Sequence, residues 1–292
     1  MKTKFHIFKV VANHLSFTKA AEELFISQPA VSKTIRSLED SYYCTFFLRN
    51  KNSIELTRDG AIFLTYVDRI LSIHAELDNE FSDLKENLPK EICFGVSTTL
   101  VNNIMPKIIV KFRTQYPDVN FNIKSGNSEG IENLILNQQL NYGITEGRNT
   151  HKKLQFKKFI KDEIVLVTNV NNSILKSDTI DKKTLQEIPM VERELGSGTR
   201  KIIYQFLNAY GIEKLNTVVT LNSVEAIKNY LNYSNDFALI SINAVREDLI
   251  NNRLKIIEIE DLTIERWFYF VSRTGYQSKV MEYFEKFSQN NL

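Results

Sequence analysis

TKAAEELFISQPAVSKTIRSLE, residues Thr18 to Glu39, is the stretch whose reading decides how this chain begins to fold. It reads as two short helices joined by a tight turn. Thr18 is the expected N-cap of the first, with Ala20, Ala21 and Leu24 as a small apolar stripe behind it. Ser27 is the expected N-cap of the second. Gln28 and Pro29 then fall in its first turn, where a missing N–H costs little. Val31, Ile35 and Leu38, spaced i, i+4, i+7, face inward. Gln28, Pro29, Ser32, Lys33 and Arg36 are left on the outer face. Such a face suits a DNA major groove: Gln and Arg make bidentate contacts to base edges, and Ser and Lys reach bases or phosphates. Any surface helix carries polar residues outside, so the pattern alone is not specific.

The flanks extend the same unit. Phe5, Phe8, Ala12 and Leu15 fit one face of a preceding helix that would close a three-helix core. Tyr42 to Leu56 is rich in Tyr, Phe and Thr and is broken by Arg49-Asn50-Lys51-Asn52-Ser53. It reads as a hairpin with a basic tip.

SFTKAAEELFISQPAVSKTIRSLE, Ser16 to Glu39, resembles the N-terminal helix-turn-helix of the LysR-type transcriptional regulators. The match continues through Phe47 and Arg49 to LTRDG, Leu56 to Gly60, and the order of later segments fits the whole chain. The resemblance implies that the hairpin is a wing beside the recognition helix, with Arg49 and Lys51 toward phosphates. It implies double-stranded DNA and a small-molecule effector as partners, self-association to a dimer and then a tetramer, and leaves room for RNA polymerase.

Composition agrees with a DNA-binding head on a neutral body. Residues 1–60 hold nine Lys or Arg and six Asp or Glu, a net of +3, within a chain of net charge +2. Cys44 and Cys93 form no CxxC and have no neighbouring His, so they are expected as buried free thiols, with no metal site and no cofactor. MKTKFHIFKVV lacks the apolar core of a signal peptide, and no apolar run approaches the ~20 residues that span a bilayer. A soluble cytoplasmic protein is expected.

Asp59 to Leu88 reads as one long helix ended by Pro89. Phe63, Val67, Ile70, His74, Leu77, Phe81, Leu84 and Leu88 follow a 4-3 spacing, the seam of a coiled coil, and a second copy is its simplest partner. Beyond Pro89 strands and helices alternate, implying parallel sheet with helices on its faces. Ile92, Phe94 and Val96 alternate on the first strand. Met105, Ile108, Ile109 and Phe112 line a helix. Strands follow near Val119–Ile123, Tyr142–Thr145, Ile164–Val167, Met190–Val191, Val218–Leu221, Phe237–Ile242, Leu254–Ile259 and Arg266–Ser272, with a last helix over Lys279–Phe287.

The expected fold is therefore multidomain α/β: a winged helix-turn-helix over 1–60, a linker helix over 61–88, and an effector-binding domain over 89–292. The resemblance implies that this last domain is a pair of periplasmic-binding-protein-like lobes. Lobe I takes about 89–162 and 265–292, and lobe II about 163–264, with crossings near Phe159–Glu163 and Ile264–Trp267.

Ligands of open α/β sheets bind beyond the carboxyl ends of strands. Ser97-Thr98-Thr99 lies there, before a helix expected from about Asn102, as do Thr145-Glu146-Gly147-Arg148 and Gly196-Ser197-Gly198-Thr199-Arg200. Glycines and a hydroxyl at a helix start expose N–H groups that favour an anion, and Arg200 adds a cation. Asn222 and Ser241 lie at other strand ends, and each hydroxyl has helix capping as its competing role. ERELGSGTR, Glu192 to Arg200, is similar to a family segment with Pro where this chain has Leu195. In QLNYGI, Gln139 to Ile144, Asn141 stands where the family has an acid. No catalytic set emerges: the histidines are scattered, Gly-Ser-Gly lacks a nucleophile's context, and Asp162-Glu163 reads as a solvated pair. An enzyme is not expected.

Overall fold

The computed structural model describes residues 1–49, 54–80, 88–147 and 151–292. It divides into two compact units, a head and a larger α/β body. Lys51, Phe81, Leu84 and Arg148, singled out from the sequence, lie outside the described residues.

The head comprises α1 (Lys2–His14), α2 (Phe17–Glu23), α3 (Gln28–Tyr42), the hairpin β1 (Phe47–Arg49) and β2 (Ile54–Leu56), and α4 (Arg58–Glu80). The strands pair antiparallel, Phe47 opposite Leu56. Ser16, not Thr18, caps α2. Its hydroxyl accepts from the Lys19 N–H, and Thr18 is exposed within the first turn. Ser27 caps α3 as expected, accepting from the Ala30 N–H. Leu15, read as inward, instead ends α1 in the left-handed region at φ 46 and is exposed.

Three short helices enclose too little volume to close a core unaided, and the start of α4 completes it. Phe63 stacks on Phe46 at 4.2 Å between centroids and meets Phe8 edge-on at 4.8 Å. Val67 is fully buried in the same cluster, and Ile70 packs against it. Three positions of the expected dimer seam thus serve the head's own core. The exposed apolar stripe of α4 is rotated from it: Ile62, Tyr66, Ile73 and Leu77. At about 100° per residue those four fall within about 60° of arc. Leu88, the last expected seam position, packs on a core of the α/β body instead.

The body contains β3 (Glu91–Ser97), α5 (Thr98–Asn103), α6 (Met105–Gln115), β4 (Asn120–Gly126), α7 (Ser128–Leu136), β5 (Tyr142–Glu146), β6 (Leu154–Asn169) and β7 (Thr179–Ile180). It continues through α8 (Lys182–Glu187), β8 (Met190–Arg193), α9 (Gly198–Ala209), β9 (Thr217–Leu221), α10 (Val224–Leu231) and β10 (Phe237–Ser241). It ends with α11 (Ile242–Ile250), β11 (Leu254–Ile259), β12 (Ile264–Arg273) and α12 (Lys279–Asn290). One sheet runs β4-β3-β5-β12-β6-β10-β8-β9. β4, β3 and β5 are parallel and form lobe I; β10, β8 and β9 are parallel and form lobe II. The antiparallel pair β6–β12 runs through both, from Arg273 opposite Leu154 to Ile264 opposite Ile164. The chain leaves lobe I in β6 and returns in β12, so lobe II is an insertion.

Helices cover both faces of each lobe. In lobe I, α6 and α12 bury Ile108, Phe112, Met281 and Phe284 against Ile92, Phe94 and Val96. α7 covers the other face with Ile131 and Ile135. Neither cysteine is buried, contrary to expectation: Cys44 is half-buried, and Cys93 sits on the outward side of β3, between Ile92 and Phe94. Among the described residues, no helix is long and apolar enough to cross a membrane.

Candidate functional sites

On the head, the inward triad Val31, Ile35 and Leu38 is fully buried and orients α3. Gln28, Pro29, Lys33 and Arg36 are exposed on its other side, and Ser32 is half-buried. The Gln28 side-chain amide donates to the Ser32 hydroxyl at 3.0 Å, which holds both at the start of the helix. Ser32, Lys33, Arg36 and Arg49 line one groove over Phe47 and Leu48. Arg49 lies 4.5 Å above the Phe17 ring, which fixes its stem beside α3. Recognition-helix and hairpin cations therefore share one surface.

In the body, the expected ligand residues fall into two groups. The first lies at the crossing. Val96 pairs with Ile144 across β3 and β5, and Tyr269 of β12 lies opposite Thr145 of β5. Ser97, Thr145 and the start of β12 therefore sit at one end of three adjacent strands. Helix α5 begins at Thr98, earlier than expected, which carries Thr99 into the same buried region. Ser97, Thr99 and Thr145 are each at most 1% exposed, and their hydroxyls find no partner among the described residues.

Two arginines absent from the sequence-based set border this region, Arg193 through Thr98 and Arg266 on β12 beside β5. Arg266 donates from Nε to Asp162 at 2.6 Å and from Nη1 to the Thr199 hydroxyl at 2.7 Å. Asp162 is buried, not solvated. It also accepts from Ser241 at 2.8 Å and from Asn243 at 2.7 Å. Arg193 grips Glu194 from Nε and Nη2 at 2.8 and 3.0 Å. Its Nη2 also reaches the Thr98 hydroxyl of lobe I at 3.2 Å and the Asn222 carbonyl at 3.4 Å. Among the described residues, each guanidinium keeps one buried nitrogen without a partner, Nη2 of Arg266 and Nη1 of Arg193. An arginine within an otherwise apolar strand pattern, as at Arg266, was the available sequence signal.

The second group is the glycine loop. Ser197 caps α9, accepting from the Arg200 N–H at 3.3 Å, so its competing capping role is realised. Gly196 has φ +85. A Cβ on Gly198 would lie 2.5 Å from the Ser128 hydroxyl oxygen and 2.6 Å from the Glu146 carbonyl oxygen. Glycine thus lets the start of α9 rest directly on lobe I. Arg200 faces Glu192 at 3.6 Å and lies over Tyr204. Glu146 accepts from Ser128 at 3.0 Å through Oε2. Leu195 is 81% exposed, and Asn141 accepts from Arg273 at 3.0 Å. Among the described residues, no cluster of His, Cys, Asp and Glu suits a metal ion.

Residues 3–61 match the bacterial regulatory helix-turn-helix proteins of the lysR family, and residues 85–292 match the LysR substrate binding domain. The chain belongs to the LysR family. It is a DNA-binding transcriptional regulator with an effector-binding domain, and not an enzyme. It is 30% identical over 284 residues to a probable RuBisCO transcriptional regulator of Phaeodactylum tricornutum, covering 95% of this chain and 92% of that relative. The fold superposes on full-length CbnR complexed with its target DNA at a TM-score of 0.72, with 15% identity and complete coverage of both chains. It also superposes on the CcmR regulatory domain of Synechocystis in complex with 2-PG, at a TM-score of 0.62 and 20% identity, over 69% of this chain and 97% of that one.

Proposed function

We propose that this regulator binds half-sites of an imperfect inverted repeat as a homo-oligomer and responds to a small anionic metabolite held where its two lobes meet. The observation that carries the effector reading is the buried set at the crossing: three hydroxyls and one nitrogen on each of two arginines, without partners among the described residues. Each such group costs about 1–3 kcal/mol when left unmade. Arginine nitrogens only donate, so what satisfies them must present acceptors, and the several lone pairs of an oxyanion do so at once. Ser97, Thr98, Thr99 and Thr145 belong to lobe I, Arg193 and Thr199 to lobe II, and Arg266 to the strand joining them. A ligand here would couple lobe closure to occupancy, because it binds one arrangement more tightly than the other.

On the head, α3 reads bases with Gln28 and Arg36 while Lys33 and Arg49 contact phosphate. The exposed stripe of α4 supports pairing with a second copy, since one chain leaves four large apolar side chains of one face in solvent. Thermal-shift screening of the full chain against small carboxylates and phosphates tests the effector site. A ligand at ~100 times its dissociation constant adds about 2.7 kcal/mol. Combined Ser97→Ala and Thr99→Ala should remove that response and any effector-dependent change in DNA binding, and leave effector-free DNA binding intact. An unaltered response, or no stabilising anion, would overturn the assignment.

A further inference from the structure

A second cleft, of about 680 Å³, opens between α7 of lobe I and α9 of lobe II. Ser97, Thr99, Thr145, Arg193 and Arg266 are absent from its lining. The two regions adjoin at the contact of Gly198 with Ser128 and Glu146. The lobe I wall carries three carboxylates, Glu129, Glu132 and Glu146; the lobe II wall carries Arg200, Lys201 and Tyr204.

The carboxylates are graded by depth. Glu129 is exposed at the mouth beside Gly196, whereas Glu132 and Glu146 are only 5% and 4% exposed. Oε1 of Glu146 has no hydrogen-bond partner among the described residues, although Oε2 is held by Ser128. A buried carboxylate oxygen needs a donor, and a charged donor satisfies it best. Arg200 does not meet that need, being held against Glu192 and Tyr204. Lys201 is exposed at the rim and makes no ion pair among the described residues.

We propose that this cleft is a second ligand site, separate from the crossing set, for a small zwitterion. A protonated amine would meet Oε1 of Glu146 and a carboxylate would reach Lys201, as an amino acid can do. The volume lies within the 300–1,000 Å³ usual for small-molecule pockets. Because the walls belong to different lobes, occupancy would tie α7 to α9 and act on the same lobe equilibrium as the crossing site.

Isothermal titration of the full chain with L-lysine and γ-aminobutyrate, against putrescine and acetate as singly signed controls, tests this. Saturable binding is expected for a zwitterion and none for acetate. Glu146→Gln should weaken the zwitterion at least tenfold. Lys201→Glu, at an exposed position that leaves the fold alone, should weaken the zwitterion and strengthen putrescine. Ser97→Ala with Thr99→Ala should leave zwitterion affinity unchanged, which separates this site from the crossing one. Failure of both zwitterions to saturate would overturn the proposal, as would acetate binding equally well or Lys201→Glu shifting zwitterion and putrescine in the same direction.

Discussion

Replacing Arg266 with methionine should unseat the ion pair at the crossing of the lobes. The Arg266 and Asp162 side chains are 1% and 0% exposed. The change removes the 2.6 Å bond to Asp162 and the 2.7 Å bond to Thr199. Breaking one partner of a buried pair costs about 3–5 kcal/mol, because the remaining charge stays buried. Ser241 and Asn243 still donate to Asp162, which places the expected loss at the lower end, about 3 kcal/mol. With a urea dependence of roughly 2–3 kcal/mol per molar, the midpoint should fall by about 1 M. Trp267, the chain's one tryptophan, adjoins Arg266 on β12, so its fluorescence follows the unit that holds the pair. Adding Asp162→Asn removes the stranded charge and should restore much of the loss. A double variant as unstable as the sum of its singles would show no coupling and refute the reasoning.

Four further outcomes are expected. Arg36→Ala should cost about 1–3 kcal/mol on the specific site and relax preference at one base position, measured by anisotropy; an equal loss on random DNA would count against base reading. Leu77→Glu places a charge on the exposed apolar stripe of α4 and should shift sedimentation toward the monomer; an unchanged assembly would place the contact elsewhere. Gly198→Ala brings a Cβ within 2.5 Å of the Ser128 hydroxyl and should lower thermal stability by about 1–3 kcal/mol; wild-type stability would show that the lobes do not meet there in solution. Tyr43 ends α3 at φ 54 while 96% exposed, so Tyr43→Gly should stabilise the head by about 1 kcal/mol. A loss in the head's denaturation midpoint would mean that the ring makes a contact.

Local spacing decided much of this protein before any tertiary contact. Val31, Ile35 and Leu38 are buried, Ile92, Phe94 and Val96 alternate inward, and β11 has the bounds Leu254–Ile259 expected of it. Those readings hold because side-chain direction repeats every 3.6 or 2 residues within one element. Elements with little apolar periodicity escaped: α8, α11 and the first half of β6, where Lys157, Lys158 and Lys161 interrupt the pattern. Capping of α2 by Ser16 rather than Thr18 turned on which of two hydroxyls the packed helix begins beside.

Only the tertiary structure chose between the faces of α4. A 4-3 spacing fits a partner helix and the head's own core equally, and the head claims Phe63, Val67 and Ile70 because its three short helices leave Phe8 and Phe46 uncovered without them. The crossing site follows the same logic at longer range. Asp162 and Arg266 stand 104 positions apart and in sequence resemble ordinary solvated charges. Antiparallel pairing of β6 with β12 brings them together and removes both from water, and burial converts a surface-type pair into one whose geometry positions a guanidinium between the lobes.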